Sequence, residues 1–476
     1  DYRTANSANV TLGNASPRSF YDGQLRFDQW TTNFDATTTA NLGLATPLKI
    51  AAGVEFRWEQ YGIKAGEPDS YRNGGVTILD GPSTGGLAAV GAQVFPGFKP
   101  TDAGEHAREA KSVYLDTEQQ LTDRWLVSVA GRFEDYTDFG TNTTGKIATR
   151  FKVTDAFALR GSLSTGFRAP HLAQSWFSST ATNFIGGVPF DILTFPVSAP
   201  AAKALGATPL QPEESTNKSL GFTWNPTPDF SASVDYYDIT IKDRIVLSSN
   251  FTGAPVIALL ATQGITGIGG GRYFTNAVDT KTEGVDVSAR YTLRTTDLGR
   301  FTLTGGYNHN QTRATRIKQA PAALAAITTT PLFDLTETIR LERGQPRDNF
   351  NTSVNWEIGK FAFLVREVRY GEVSTVQSSS ATQAQRFGAK WLTDVDVTYR
   401  FNKRLSLSVG ANNVFDVYPD ENIRSRVVNG TAFNGYDNVG IFPYSGVSPF
   451  GFNGAFYYTK VSLRYCAGSG LRFFQA

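Results

Sequence analysis

The feature that most constrains this chain is a two-residue period of apolar and polar side chains, repeated along nearly its whole length. From Phe157 to Phe167, the residues Phe157, Leu159, Gly161, Leu163, Thr165 and Phe167 share one face, and Ala158, Arg160, Ser162, Ser164 and Gly166 share the other. Successive side chains of an extended strand point to opposite faces, so such a strand has one greasy and one wet side. Trp125, Val127, Val129, Gly131 and Phe133 repeat the pattern against Ser128, Ala130, Arg132 and Glu134. So do Leu48, Ile50, Ala52, Val54, Phe56 and Trp58, and again Trp391, Thr393, Val395, Val397, Tyr399 and Phe401. About fifteen segments of this kind follow one another, most of them long enough to cross a bilayer as tilted strands of roughly 9–11 residues. Asp235 to Ile241 and Arg366 to Tyr370 break the period, and read as bulges or as strands running past a membrane.

A soluble sandwich or propeller also alternates, but its apolar face closes on a core. Here strand after strand places Arg, Lys, Glu and Asp on one face. Aromatics gather at strand ends: Trp58, Tyr61, Trp125, Phe133, Tyr136, Trp224, Phe230, Trp356, Phe361, Trp391, Phe401 and Tyr457. Two aromatic girdles around an apolar belt mark a membrane barrel. The connections agree. Short turns such as Thr154-Asp155, Gly359-Lys360 and Asn402-Lys403-Arg404 alternate with long segments: Gly62 to Ala107, Arg168 to Glu213, Lys242 to Thr282, Asn310 to Arg347 and Asp416 to Gly454. Short periplasmic turns and long extracellular loops are the barrel arrangement, and by this parity the first and last strands both run toward the periplasm. The expected fold class is all-β: a transmembrane antiparallel β-barrel in outer-membrane lipid.

Composition excludes other classes. The 476 residues carry 45 Lys+Arg against 43 Asp+Glu, a net charge of +2, which gives no electrostatic footprint for nucleic acid. No apolar run approaches the roughly 18 residues of a membrane helix. The single cysteine, Cys466, allows no internal disulfide. Met is absent, and no signal peptide opens the chain, so the sequence reads as processed or as a fragment.

No catalytic centre is expected. None of His106, His171 and His309 has a second His or a Cys at ligand spacing, so neither a metal nor a cofactor is expected. His309, read as an inner-wall residue, has no serine nucleophile in Tyr307 to Gln311. Gly267 to Gly271 lacks the Lys-Ser/Thr pair and the helix of a phosphate loop. Inner-wall charges such as Arg132, Arg150, Arg160, Arg290 and Asp394 read as solvating or facing a lumenal domain. Ala199 to Ala207 and Pro321 to Ile327 read as short loop helices. The binding candidates are loop aromatics: Trp176, Phe177, Phe184 and Phe190 after Arg168, and Tyr418, Tyr436 and Tyr444 after Asp416. Such rings stack on a ligand or pack their own loop, and the sequence supports both readings equally. Only Lys203 brings a positive charge between Arg168 and Glu213, so a ligand there would be held by stacking and neutral hydrogen bonds.

Several motifs resemble those of TonB-dependent receptors. Ser164-Thr165-Gly166-Phe167-Arg168-Ala169-Pro170 is similar to the family's strand end before a long loop. Pro212, Glu214, Ser215, Asn217, Gly221 and Phe222 resemble its descending strand, and Asp235 to Ile239 with Lys242 to Ile245 the next ascending one. Asn276 with Thr282, Gly284, Val285 and Asp286, and then Asn412-Asn413-Val414-Phe415-Asp416, follow in the family's order. The resemblance runs from about Phe20 to Tyr465. It implies a partial barrel at residues 1–465, with about 15 of the expected 22 or so strands. It also implies that the plug and about seven N-terminal strands are missing, and that 466–476 is an atypical tail after the terminal aromatic Tyr465. By this resemblance the intact protein would import a scarce, bulky nutrient across the bacterial outer membrane: a ferric siderophore, a cobalamin-like cofactor or an oligosaccharide. Energy would come from the TonB complex through the plug, and the outer-membrane assembly machinery would insert the barrel. The alternative is a passive porin or structural barrel without a plug.

Overall fold

In the computed structural model the described residues are 1–464, apart from 81–83, 87, 94, 186–187, 377–383, 424–425, 429–430 and 434–442. Tyr465 and the tail from Cys466 lie outside them.

Fifteen long strands form one up-and-down meander: β1 (Ser19–Ala40), β2 (Leu48–Ala65), β3 (Gly104–Thr122), β4 (Trp125–Tyr136), β5 (Gly140–Lys152), β6 (Phe157–Arg168), β7 (Glu213–Thr227), β8 (Phe230–Leu247), β9 (Gly270–Arg294), β10 (Arg300–Ile317), β11 (Asp348–Ile358), β12 (Phe361–Tyr370), β13 (Lys390–Arg400), β14 (Leu405–Asn412) and β15 (Phe456–Leu463). Each pairs antiparallel with the next. Tyr2–Ala5 adds a short strand to the outer edge of β1. At the periplasmic end the turns are tight. The Gly359 turn between Ile358 and Phe361 needs φ of +53°, a left-handed conformation in which a Cβ is strained.

Register fixes the faces. Val54 lies opposite Val113, Val113 opposite Phe133, Val129 opposite Ile147, and Ile147 opposite Leu163. The row continues through Val234 with Val287, Val354 with Val365, and Val365 with Val395. These side chains are solvent-exposed or half-buried, with Val54, Val113, Val129 and Ile147 each 50–52% exposed. A soluble sandwich would have hidden them; apolar side chains left uncovered along a whole sheet face suit lipid. A near-continuous aromatic belt rings the periplasmic end of this face. Trp224 meets Phe230 at 5.2 Å, Trp356 meets Phe363 at 4.9 Å, and Phe361 meets Tyr399 at 4.9 Å.

Several sequence expectations need correction. Tyr61 and Tyr136 are not girdle residues: they share the lumenal face with Glu59 and Arg132, and both are buried. His309 is on the outer face, in register with Asp348, to which its Nδ1 is hydrogen-bonded at 2.8 Å. Above the lipid belt the outer face turns polar, so polarity there no longer marks the lumen. For the same reason, of the two readings of Arg366–Tyr370 the bulge fails and the strand running past the membrane agrees with the pairing. Pairing is unbroken through β12, and Glu367 and Arg369 stand on its outer face.

The strands also run farther outward than the period suggests, to Leu247 on β8 and from Gly270 on β9. Asp235–Ile241 is regularly paired, and the register slips only beyond it, between Ile241 and Arg244. A matching slip separates Asp279 and Thr280 where β9 pairs with β10. Asp243 takes φ of +51° there. Its N–H donates to Asp279 Oδ1 at 2.8 Å, and its carboxylate receives Lys318 Nζ at 2.7 Å. Arg316 Nε reaches Asp279 Oδ2 at 2.6 Å. One extracellular connection is short: Thr137–Phe139 joins β4 to β5.

Candidate functional site

The long connections gather at the extracellular end, and most of the buried apolar residues lie among them. The loop after β6 begins at a closed base. Arg168 and Glu213 sit opposite each other in register and form an ion pair; Glu213 also accepts the Ile245 N–H at 2.7 Å. Buried Arg108 on β3 donates to Glu59 Oε2 at 2.6 Å and to the Pro170 carbonyl at 2.6 Å, with Asp138 at 3.4 Å. One guanidinium thus ties the loop to the lumenal wall.

A short helix, Leu172–Trp176, follows. His171 Nδ1 accepts the Ala173 N–H at 3.1 Å, and Gln174 Oε1 accepts the His171 N–H at 3.0 Å, a reciprocal cap. Desolvation, with Arg108 and Arg168 nearby, pushes the His171 imidazole below its ordinary value, against an opposing pull from Glu59. That favours the neutral, hydrogen-bond-accepting form. Leu172 is 2% exposed and packs against Tyr61, Ile63 and Phe98, so the loop folds inward onto lumen-facing residues of β2. Trp176 stacks flat on His106, centroids 3.7 Å apart and planes at 5°. Phe177 meets Phe98 edge-on at 6.3 Å. Both rings are half-buried.

A second cluster was not anticipated from the sequence. The loops after β6, β8 and β10 share one apolar core around the outer half of β9. Phe195, Ala202 and Leu205 come from the first loop, Phe251, Val256 and Leu260 from the second, and Leu324, Leu332 and Phe333 from the third. Tyr273, Ala277 and Val278 of β9 are enclosed by them. Tyr273 Oη donates to the Leu205 carbonyl at 3.0 Å. The expected helices appear here, as Pro200–Ala204 and Ala322–Ala325. Ala254–Thr262 and Leu335–Arg343 add two that the sequence reading did not place.

The loop after β14 is pinned at its root. Asn413 adopts φ of +50°, its N–H donates to Asp394 Oδ1 at 2.8 Å, and its side chain exchanges two hydrogen bonds with Val417. Asp416 accepts the Ala455 N–H at 2.8 Å. The Asn412-to-Asp416 motif is therefore a turn that closes the loop. Tyr418, Tyr444 and Phe452 form a stacked ladder, with successive centroids 6.0 and 5.5 Å apart. No ring contact joins this ladder to Trp176 or Phe177 among the described residues. The side chains of Phe184 and Phe190, and all of Tyr436, lie outside what the structure describes.

On the lumenal wall, Arg132 pairs with Glu134 and Glu55, Arg366 with Asp394, and Arg160 with Asp235. The last pair bridges across β7 at Gly221, where a Cβ would collide with Asp235 Oδ1.

Fold and mouth together define a bacterial outer-membrane β-barrel: lipid-facing strands, a polar lumen and extracellular loops built into a structured entrance. The chain belongs to the TonB dependent receptor-like, β-barrel family, whose profile matches residues 1–414. This is a family of receptors, not of enzymes. A probable TonB-dependent siderophore receptor, PirA of Acinetobacter baumannii, is 23% identical over 329 residues, covering 67% of this chain and 41% of the relative. The ferric enterobactin receptor PirA of Pseudomonas aeruginosa is 21% identical over 347 residues, covering 71% and 41%. The crystal structure of the siderophore receptor PirA from Pseudomonas aeruginosa superposes with a TM-score of 0.56 at 12% identity, covering 93% of this chain and 59% of that one. The chain spans about two fifths of the length of the curated relatives it matches.

Proposed function

We propose that the intact protein carrying this chain takes up a ferric siderophore across the outer membrane, energised through TonB by a plug within the barrel. One observation carries the choice among bulky nutrients: relatives from two different bacteria, matched over two thirds or more of this chain, are both siderophore receptors. The entrance suits that role, because function concentrates on loops held by a rigid scaffold. The proposal takes residues 1–465 as the barrel unit and 466–476 as a tail. It assigns ligand contact to the loop aromatics Trp176, Phe177, Phe184, Phe190, Tyr418, Tyr436 and Tyr444. Trp176 and Phe177 have a second duty in holding the loop against the wall.

The test is growth of an iron-starved deletion strain, complemented with the intact protein and fed single ferric siderophores. Rescue by one of them, lost when TonB is deleted, is expected. Growth on none, with uptake of cobalamin or an oligosaccharide instead, would overturn the reading. In the same strain Trp176→Ala with Phe177→Ala should weaken ligand binding by about 1–3 kcal/mol, the scale of aromatic anchors. Unchanged affinity in the correctly assembled double variant would move the ligand-contact assignment to the loop after Asp416.

A further inference from the structure

Two successive inward side chains of β3, His106 and Arg108, hold the loop after β6 at two points. Arg108 grips its root. The side chains of Arg108 and Glu59 are only 6% and 7% exposed, and Glu59 takes no other side-chain hydrogen bond among the described residues. The guanidinium divides its donors: Nε serves Glu59 at 2.6 Å, and Nη1 serves the Pro170 carbonyl at 2.6 Å. A divided grip of this kind needs a planar fork of fixed donors, which a lysine ammonium lacks. The wall side is braced as well. Arg108 lies 5.4 Å from the centre of the Tyr136 ring, and Tyr136 Oη is held by Arg57 at 2.6 Å and Glu134 at 2.9 Å.

Pro170 precedes His171, the cap of Leu172–Trp176, so the gripped carbonyl stands at the start of that helix. At its other end Trp176 lies flat on His106, which fixes the plane of the indole. Helix, cap and ring are therefore mounted between two neighbouring positions of one strand.

We propose that Arg108 is a positioning residue for ligand capture: through the Pro170 carbonyl it sets the orientation in which Trp176 and Phe177 meet a siderophore, and it touches no ligand itself. The inference rests on the reading of these two rings as ligand contacts. The ion pair with Glu59 alone would not require this arrangement, because an apolar pair of similar bulk fills the same space and leaves no buried charge. What such a pair cannot do is hold the carbonyl.

Arg108→Met with Glu59→Leu isolates the grip. In the intact receptor without added siderophore, the amides of residues 171–177 should exchange about tenfold faster, while those of β9 from Gly284 to Arg294 keep their wild-type rates. Arg108→Lys, which keeps the charge and loses the fork, should quicken the same amides. The second probe is the ferric siderophore that supports growth of the complemented strain. Its affinity should fall about tenfold in the Met–Leu variant, yet stay unchanged when the same pair is added to Trp176→Ala with Phe177→Ala, because the grip acts only through those rings. A role confined to stability would not give that dependence. Unchanged exchange, or unchanged affinity with a loosened loop, would overturn the proposal, as would an undiminished loss of affinity in the background lacking both rings. The exchange measurement uses no ligand, so a failed grip is separable from a failed uptake reading, which the growth test decides by itself.

Discussion

Strand β9 passes through two different environments, and its two halves use apolar side chains in opposite ways. From Gly284 to Arg294 it keeps strict alternation, with Val287 and Tyr291 turned to the outside and Asp286, Ser288 and Arg290 to the lumen. From Gly270 to Thr280 alternation fails: Tyr273, Ala277, Val278 and Thr280 are all buried. The lower half needs no protein partner for its apolar face, because lipid supplies one. The upper half stands in water and must be covered, so three loops wrap it. A single strand therefore shows that burial in this molecule follows the solvent outside and not the strand itself.

The largest effect expected from this contrast lies in the upper half. Phe251 is fully buried in the shared loop core, so Phe251→Ala should cost about 3–5 kcal/mol of local stability. Limited proteolysis should then cut the loops after β8 and β10 while the barrel keeps its heat-resistant mobility in gels. Equal protease resistance would show that the loops are held independently of the core. In the lower half, Val129→Arg faces lipid and should cost about 2–4 kcal/mol in folding titrations with vesicles, against about 0–1 kcal/mol for Thr240→Arg higher on the outer face. Equal costs would place the lipid boundary elsewhere.

The smallest effect is a pH dependence in the mouth. His171 has a depressed folded value, so the stability it lends is complete above the ordinary imidazole value of about 6.5 and falls as pH drops through the folded one. Protonation removes the acceptor that caps Leu172–Trp176. His171 is solvent-exposed, which limits the loss to about 0.5 kcal/mol, the low end for a helix cap. Exchange of the Ala173 amide, corrected for intrinsic rate, should quicken roughly twofold between pH 7.5 and pH 5. His171→Asn, which keeps a neutral acceptor, should flatten that change.

The membrane part of the fold was legible because lipid imposes a local rule: alternate residues must be apolar, and any stretch of strand shows it. All fifteen expected segments, from the one around Arg26 to the one around Val461, fall within β1 to β15. The loop core follows no such rule. Leu205, Phe251 and Leu332 lie far apart in the chain and meet only because β9 carries them to one place. His309 was assigned to the wrong face because polarity stands for the lumen only within the lipid belt. Tyr61 and Tyr136 look like girdle aromatics by position along their strands. Their facing decides otherwise: each follows a charged residue of the lumenal row by two positions. At the mouth, Trp176 and Phe177 could be singled out by composition, but their contacts with His106 and Phe98 depend on a loop fold that no period records.

The stapled slip where β8, β9 and β10 leave the membrane region has a mechanical consequence. A bulge bends a strand and tightens its twist. Here two register shifts lie at nearly the same height, locked by Asp243, Asp279, Arg316 and Lys318. The junction is therefore a bend braced by paired charges. It sets the angle at which the loop-wrapped half of β9 leaves the wall below. On this side the rim of the mouth follows that bend, and between β4 and β5 the short connection Thr137–Phe139 completes it.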